Sequence, residues 1–211
     1  MAYLSKKVLL ENIKAIKLAV QLNKEKRIPS EEEIEIINRY KGWGGLKFLL
    51  YPIEEDWSNS NLKISKEDLS LESDAKNFYD FLKQEFPDNY EEILRSIKSA
   101  SLTSYFTPKE VVNVLIEQQA KTTPYIESFL DPSAGMGVYV DNILEAYPNI
   151  KSIVAVEADF LTSFLLKEKY KGIERVEIIN SKFEDVNFGD KKFDFIASNI
   201  PFGSLDRKSV V

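Results

Sequence analysis

Apolar positions in the first hundred residues recur at helical spacing. Leu4, Val8, Leu9, Ile13, Ile16, Leu18 and Ala19 fall close to a 3.6-residue period with lysines between them, which predicts a helix over residues 4–22. Pro29-Ser30 followed by Glu31, Glu32 and Glu33 reads as a second helix start, with Ser30 as N-cap and Glu33 completing a capping box. Ile34, Ile36, Ile37 and Tyr40 then supply its apolar stripe. Residues 52–65 are polar and irregular, a surface loop. Helical spacing resumes over 66–86 (Leu69, Leu71, Phe78, Phe81, Leu82) and 89–99 (Ile93, Leu94, Ile97), with Pro87 as the break.

Beyond Ser99-Ala-Ser-Leu-Thr-Ser104 the pattern changes to strand-helix alternation. Thr107-Pro108 opens a helix over 109–119, as an N-cap followed by proline at the first helical position. Short apolar runs predict strands at 127–131, 151–157, 175–179 and 193–198, with helices over 138–147 and 159–170. Such alternation gives a parallel sheet with right-handed crossovers. The expected organisation is an all-helical part, residues 1–100, followed by an α/β part, residues 101–211. Between the second and third helices lies Tyr40-Lys-Gly-Trp-Gly-Gly-Leu46. Its simpler reading is a helix end with Gly42 as left-handed cap and Trp43 packed back on the helices. The other reading is a loop that reaches a partner, with Trp43, Lys41 and Lys47 as nucleic-acid contacts.

Composition narrows the chemistry. With no cysteine and no histidine among 211 residues, there is no thiolate nucleophile, no disulfide, and neither the commonest general base nor the usual zinc ligands. No metal is expected. No apolar run is long enough to span a membrane and no signal peptide is present, so a cytoplasmic protein without a membrane partner is expected. The net charge of −6 weighs against nucleic acid as a partner, although a local basic face can coexist with it.

Phe129-Leu-Asp-Pro-Ser-Ala-Gly-Met-Gly137 is the stretch with the clearest chemistry: a strand, a loop with two glycines, and the start of a helix. Gly135 and Gly137 permit close approach of a ligand to the backbone. The third glycine of a dinucleotide fingerprint is replaced by Val140, and Asp131 would repel a diphosphate. A ligand with positive charge and no phosphate fits better. Glu157, at the tip of the second strand, stands where a ribose diol is gripped, although it also reads as a solvated strand-end acid. Asn199-Ile-Pro-Phe202 ends the fourth strand; the Asn oxygen and the next carbonyl can accept from an exocyclic amine, and Phe202 offers a face for an extruded base. Its plainer reading is a turn.

In this order, Tyr105-Phe-Thr-Pro108, the D-P-x-x-G-x-G loop, the acidic strand end and N-I-P-F resemble the gamma-class N6-adenine DNA methyltransferases over residues 101–211. The G-W-G-G-L segment and Asn199–Gly203 resemble the methylase part of phage and mobile-element methylase-helicase proteins. The resemblance implies a Rossmann-like S-adenosylmethionine-dependent methyltransferase sheet, incomplete at the C-terminus, with S-adenosyl-L-methionine as cofactor and adenine in DNA as target. Thr107 and Pro108 would border the methionine end of the cofactor, and Asp131, Ser133, Gly135 and Gly137 would line its loop. Glu157 would bind the ribose. Asn199, Ile200, Pro201 and Phe202 would hold the target base. Two positions depart from the family: Ile200 replaces a usual proline, and Lys182 replaces an acid that reads the cofactor's adenine. Glu184 or Asp185 would substitute for that acid, with Phe183 against the adenine ring. Because the sulfonium is already activated, the lack of His and Cys costs the reaction nothing. The chain is expected to be an N-terminal fragment of a bacterial or phage-encoded methylase, with the remaining C-terminal region as partner and little activity alone. Two other expectations compete: a non-catalytic DNA- or protein-binding module on a degenerate fold, and an RNA or protein-glutamine N-methyltransferase.

Overall fold

A computed structural model of the chain describes residues 2–51, 54–58, 64–103 and 107–200. Helix α1 (Ala2–Glu25) carries the expected stripe, with Leu9, Ile16 and Ala19 fully buried. Helix α2 (Glu31–Asn38) has the full capping box: Ser30 accepts from the Glu33 amide, and Glu33 accepts from the Ser30 amide. Arg27 then grips the same Glu33 with two guanidinium hydrogen bonds of 2.6 Å each.

The single helix expected over 66–86 is two, α3 (Lys66–Leu69) and α4 (Glu72–Glu85). Ser65 caps a turn at the Asp68 amide, and the Ser70 hydroxyl bonds back to Glu67 O. Side-chain bonds of this kind compete with the helical ladder and stop it. Helix α5 (Tyr90–Thr103) runs through the segment where a junction was expected, and α6 spans Lys109–Thr122.

The tryptophan turn takes the simpler of its two readings, with one correction. Helix α2 ends at Arg39, so Gly42 (φ +70°) is not its cap but lies three residues farther on. Asn12, fully buried on α1, donates to Gly42 O at 2.6 Å and accepts from Lys41 N at 2.8 Å. Trp43 is thereby driven inward, edge-on to Tyr40 and 5.5 Å from the Phe78 ring. At 1% exposure it cannot stack on a nucleic acid, which overturns that reading of Trp43. Lys41 and Lys47 stay exposed.

The α/β part runs β1 (Ser128–Asp131), α7 (Val138–Ala146), β2 (Ser152–Glu157), α8 (Phe160–Lys169), β3 (Val176–Asn180) and β4 (Phe195–Ile196). All pairings are parallel, in the order β3-β2-β1-β4. The fold is a Rossmann-like sheet preceded by a helical region. The chain steps outward from β1 to β3 and returns to the other side of β1, leaving a crevice between the carboxyl ends of β1 and β4. Strand β4 is shorter than its sequence suggested because it pairs only with β1, through Phe129↔Phe195 and Leu130↔Ile196.

Three apolar clusters hold these layers. The helical region buries Trp43, Phe78 and Leu82 together with Leu161 and Leu165 of α8. One sheet face (Phe129, Ile153, Ala155) packs under α6, α7 and Leu166 and Tyr170. The other face (Leu130, Val154, Val156) lies under Val186, Phe188 and Phe193 of the β3–β4 connection. Among the described residues no helix is long and apolar enough to cross a membrane, and no His/Cys/Asp/Glu group could hold a metal ion.

Candidate functional site

Four features distant in sequence meet at the carboxyl ends of the strands. Asp131 closes β1 and is fully buried. Its Oδ1 accepts from the Ser133 amide (3.1 Å) and from the Ser198 hydroxyl (2.7 Å). Its Oδ2 is buried and has no hydrogen-bond partner. Burial pushes this carboxyl up to about 6, against the pull of the Ser198 and Ser133 hydrogen bonds. An unpaired buried carboxylate oxygen is costly, and it is the acceptor that a cationic ligand would satisfy.

The loop from Pro132 to Gly137 is anchored on both sides. The Ala134 amide donates to Val156 O at 2.9 Å, and the Gly135 amide donates to Glu157 Oε2 at 2.8 Å. Glu157 Oε1 accepts from the Asp159 amide at 2.8 Å, so one carboxylate joins the tip of β2 to the glycine loop. Burial, first of all, raises the Glu157 carboxyl to about 7. Each of its oxygens keeps a lone pair, so a diol can still be received.

Behind the loop stand three residues that sequence reasoning missed. Lys169 is buried; its Nζ donates to Met136 O (3.0 Å) and pairs with Asp141 Oδ2 (2.7 Å). Burial lowers the Lys169 pKa, while Asp141 opposes the shift. The Tyr170 hydroxyl lies 2.9 Å from Gly137 O and 2.7 Å from Asp141 Oδ1. Both carbonyls are held from the rear, so the loop cannot turn them toward the crevice. Lys169 and Asp141 read as surface charges in the sequence, and only an i−28 relation across two elements reveals the pair.

Thr107 is not the helix cap expected of it. Helix α6 starts at Lys109 with Pro108 in the cap position and no side-chain cap bond. The Thr107 hydroxyl instead accepts from Asn199 Nδ2 at 2.9 Å, across 92 residues of sequence. With its nitrogen engaged there, Asn199 keeps Oδ1 without a donor among the described residues. Ile200 follows, 63% exposed; Pro201 and Phe202 lie outside the described residues. Phe183 and Glu184 sit in a short 3-10 turn after β3, both exposed, with the Phe183 ring 5.9 Å from Phe188. Neither is hydrogen-bonded to the other candidates. The helical region also reaches the site: Asp159 caps α8 at the Thr162 amide (2.7 Å) and accepts from the Ser96 hydroxyl of α5.

A Rossmann-like parallel sheet thus gathers acids at the tips of two adjacent strands, a glycine loop after the first and an asparagine after the fourth at one end. The chain belongs to the N-6 DNA methylase family, whose profile matches residues 82–210. No curated protein matches the chain. Among solved structures it is similar to a candidate RNA methyltransferase from Pyrococcus horikoshii (26% identity over 48% of this chain and 50% of that one, TM-score 0.40). It is also similar to a candidate class I S-adenosylmethionine-dependent methyltransferase from Listeria monocytogenes (14%, 93% and 60%, TM-score 0.43). A third is the methyltransferase subunit of a type I restriction-modification system from Streptococcus thermophilus (12%, 95% and 58%, TM-score 0.43). The chain thus spans between 50% and 60% of the length of these structures.

Proposed function

We propose that this protein uses S-adenosyl-L-methionine to methylate the N6 amine of adenine in DNA, as a gamma-class enzyme of the kind carried by mobile elements. The observation that carries the reading is Asn199, just past β4, whose side-chain nitrogen is held by Thr107 while its Oδ1 has no donor among the described residues, beside the strand that ends in the unpaired Asp131 Oδ2. The donor set suits the cofactor. Asp131 Oδ2 answers an ammonium group, Glu157 answers a ribose diol, Ser133, Gly135 and Gly137 give the backbone room it needs, and two carboxylates discourage a diphosphate. When bound, S-adenosylmethionine supplies a methyl group already activated on a sulfonium.

The chain's own residues then hold and orient. Asn199 Oδ1, with the carbonyl of the following residues, accepts from the target amine and aligns its lone pair. By the family resemblance Thr107 and Pro108 would border the methionine end, Phe202 would offer its ring to the base, and Phe183 and Glu184 would take the cofactor's adenine. Alignment supplies most of the rate, and the methylated amine, made acidic by the transfer, gives its proton to solvent, so no histidine is needed. Residues 101–211 carry this site, and residues 1–100 form a helical unit that braces α8. A DNA substrate would put the protein in the cytoplasm of a bacterial host.

The test is calorimetric titration with S-adenosylmethionine, followed by labelled-methyl transfer to DNA duplexes with and without adenine, to RNA and to protein. Saturable binding and a slow but measurable label on adenine-containing DNA, abolished by Asn199→Ala with binding retained, are expected. Transfer to RNA or protein but not DNA overturns the substrate; no saturable binding overturns the cofactor site.

A further inference from the structure

Ser198 belongs to no motif in the sequence, yet it is the side chain where the two halves of the site touch. Strand β4 pairs with β1 for only two residues, after which the Ala197 amide still donates to Leu130 O at 3.2 Å. Ser198 continues that junction with its side chain. Its hydroxyl donates to Asp131 Oδ1 at 2.7 Å, accepts from the Ser133 amide at 3.1 Å and lies 3.2 Å from Ser133 O. A hydroxyl has one proton, and the charged, nearer acceptor takes it. Asn199, the next residue, is pinned by its own side chain to Thr107.

We propose that Ser198 is a positioning residue that couples the cofactor loop to the target-amine loop. Its hydroxyl, together with the Ser133 amide, occupies Oδ1 of Asp131, so that Oδ2 is the oxygen left for the ligand, and the same hydroxyl bond holds the backbone that presents Asn199. This rests on the cofactor reading above and deepens it: the acid of the first strand and the amine acceptor of the fourth are set by one shared hydrogen bond. Loading of one side is then felt on the other through this side chain in addition to the short β1–β4 pairing.

The coupling has a signature that a purely structural serine lacks. The Ser198 hydrogen bond opposes the burial that raises Asp131. The other titratable groups facing Asp131 are Glu157 from β2, Tyr139 from α7 and Tyr170 from α8; the two tyrosines stay neutral below pH 10. Ionised Asp131 favours a cationic ligand, so affinity falls as pH drops through the Asp131 titration. In Ser198→Ala that titration moves upward by about one pH unit, which is about a tenfold loss of affinity on its acid side. Ser198→Thr, which keeps the hydroxyl, restores the wild-type midpoint.

The experiment pairs two readouts on the full chain. Site-resolved carboxyl NMR follows Asp131 in wild type, Ser198→Ala and Ser198→Thr without ligand, and calorimetry follows S-adenosylmethionine binding from pH 5 to 8 in the same three proteins. Thermal unfolding checks that each is folded. The expected result is an upward shift of both the Asp131 titration and the binding midpoint in the alanine variant, reversed in the threonine variant. A folded alanine variant with an unshifted Asp131 and an unshifted binding curve overturns the coupling, as does a threonine variant that behaves like alanine. If wild type fails to bind at any pH, the cofactor reading falls and the role of Ser198 toward a ligand falls with it, whatever the carboxyl titration shows.

Discussion

Gly137→Ala probes how tightly the glycine loop is built, and its cost can be worked from two separate strains. Gly137 has φ +77°, where an L residue costs about 1–2 kcal/mol. A Cβ there would also collide with Tyr170 Oη, and it would lie 2.9 Å from Tyr170 Cε2 and 3.0 Å from Leu166 Cδ2. Both neighbours are buried on α8 and its cap, so they cannot swing away, and overpacking of this kind adds about 1–3 kcal/mol. The total is about 2–5 kcal/mol, a large part of the stability of an ordinary domain. Gly45 provides the control: its φ is +79°, but nothing lies within 4 Å of a Cβ built there. Gly45→Ala therefore feels the backbone strain alone, about 1–2 kcal/mol. The assay is urea unfolding, comparing midpoints at equal slope. Tyr170→Phe removes the colliding hydroxyl, so Gly137→Ala should cost about 1–2 kcal/mol less in that background than in wild type. Equal losses for the two glycine variants, or strict additivity in the double variant, would refute the collision.

Two further outcomes follow from the same structure. Glu157 has a folded pKa of about 7 against a reference of 4.5, so the native state holds its proton more tightly. Stability is therefore lost as pH rises from about 4.5 to about 7 and is flat above; Glu157→Gln should flatten this slope by up to about 3 kcal/mol, with Asp131 leaving a residual slope of the same sign. Urea unfolding across that pH window checks it, and an unchanged slope sinks the assignment. Trp43→Ala removes a fully buried indole packed between Tyr40 and Phe78 and should cost about 3–5 kcal/mol in the same assay, whereas a loss below about 1 kcal/mol would mean that the ring is not core.

Much of the fold was legible because its signals are local. The capping box at Ser30 and Glu33, the apolar stripes of α1 and α4, and the alternation from residue 109 onward depend on neighbours a few positions apart. The breaks were less legible: the division at Ser70 turns on a hydroxyl's choice of carbonyl, which periodicity does not record. Within the site, Asp131, the glycine loop, Glu157 and Asn199 announce themselves by residue type and order. Their partners do not. Ser198, Lys169 and Ser96 are ordinary residues whose meaning comes from what the fold brings beside them, and Thr107 resembles a helix cap until Asn199 is placed against it. Trp43 left two readings open for the opposite reason, since a glycine-flanked tryptophan can face solvent or core until a buried asparagine is found holding the turn shut.

Helix α8 leaves little freedom to sequence drift. Seven of its ten residues are buried: Leu161, Thr162, Ser163, Leu165, Leu166, Glu168 and Lys169. An ordinary amphipathic helix can vary its wet side freely, but α8 has almost no wet side. Leu161 and Leu165 belong to the helical region, Leu166 to the sheet, and Glu168 accepts from Asn23 of α1. Even its buried charges, Glu168 and Lys169, are committed. Room for variation in this protein lies on other elements, such as the outer faces of α5 and α6, while nearly every position of this one short helix answers to a neighbour on a different side.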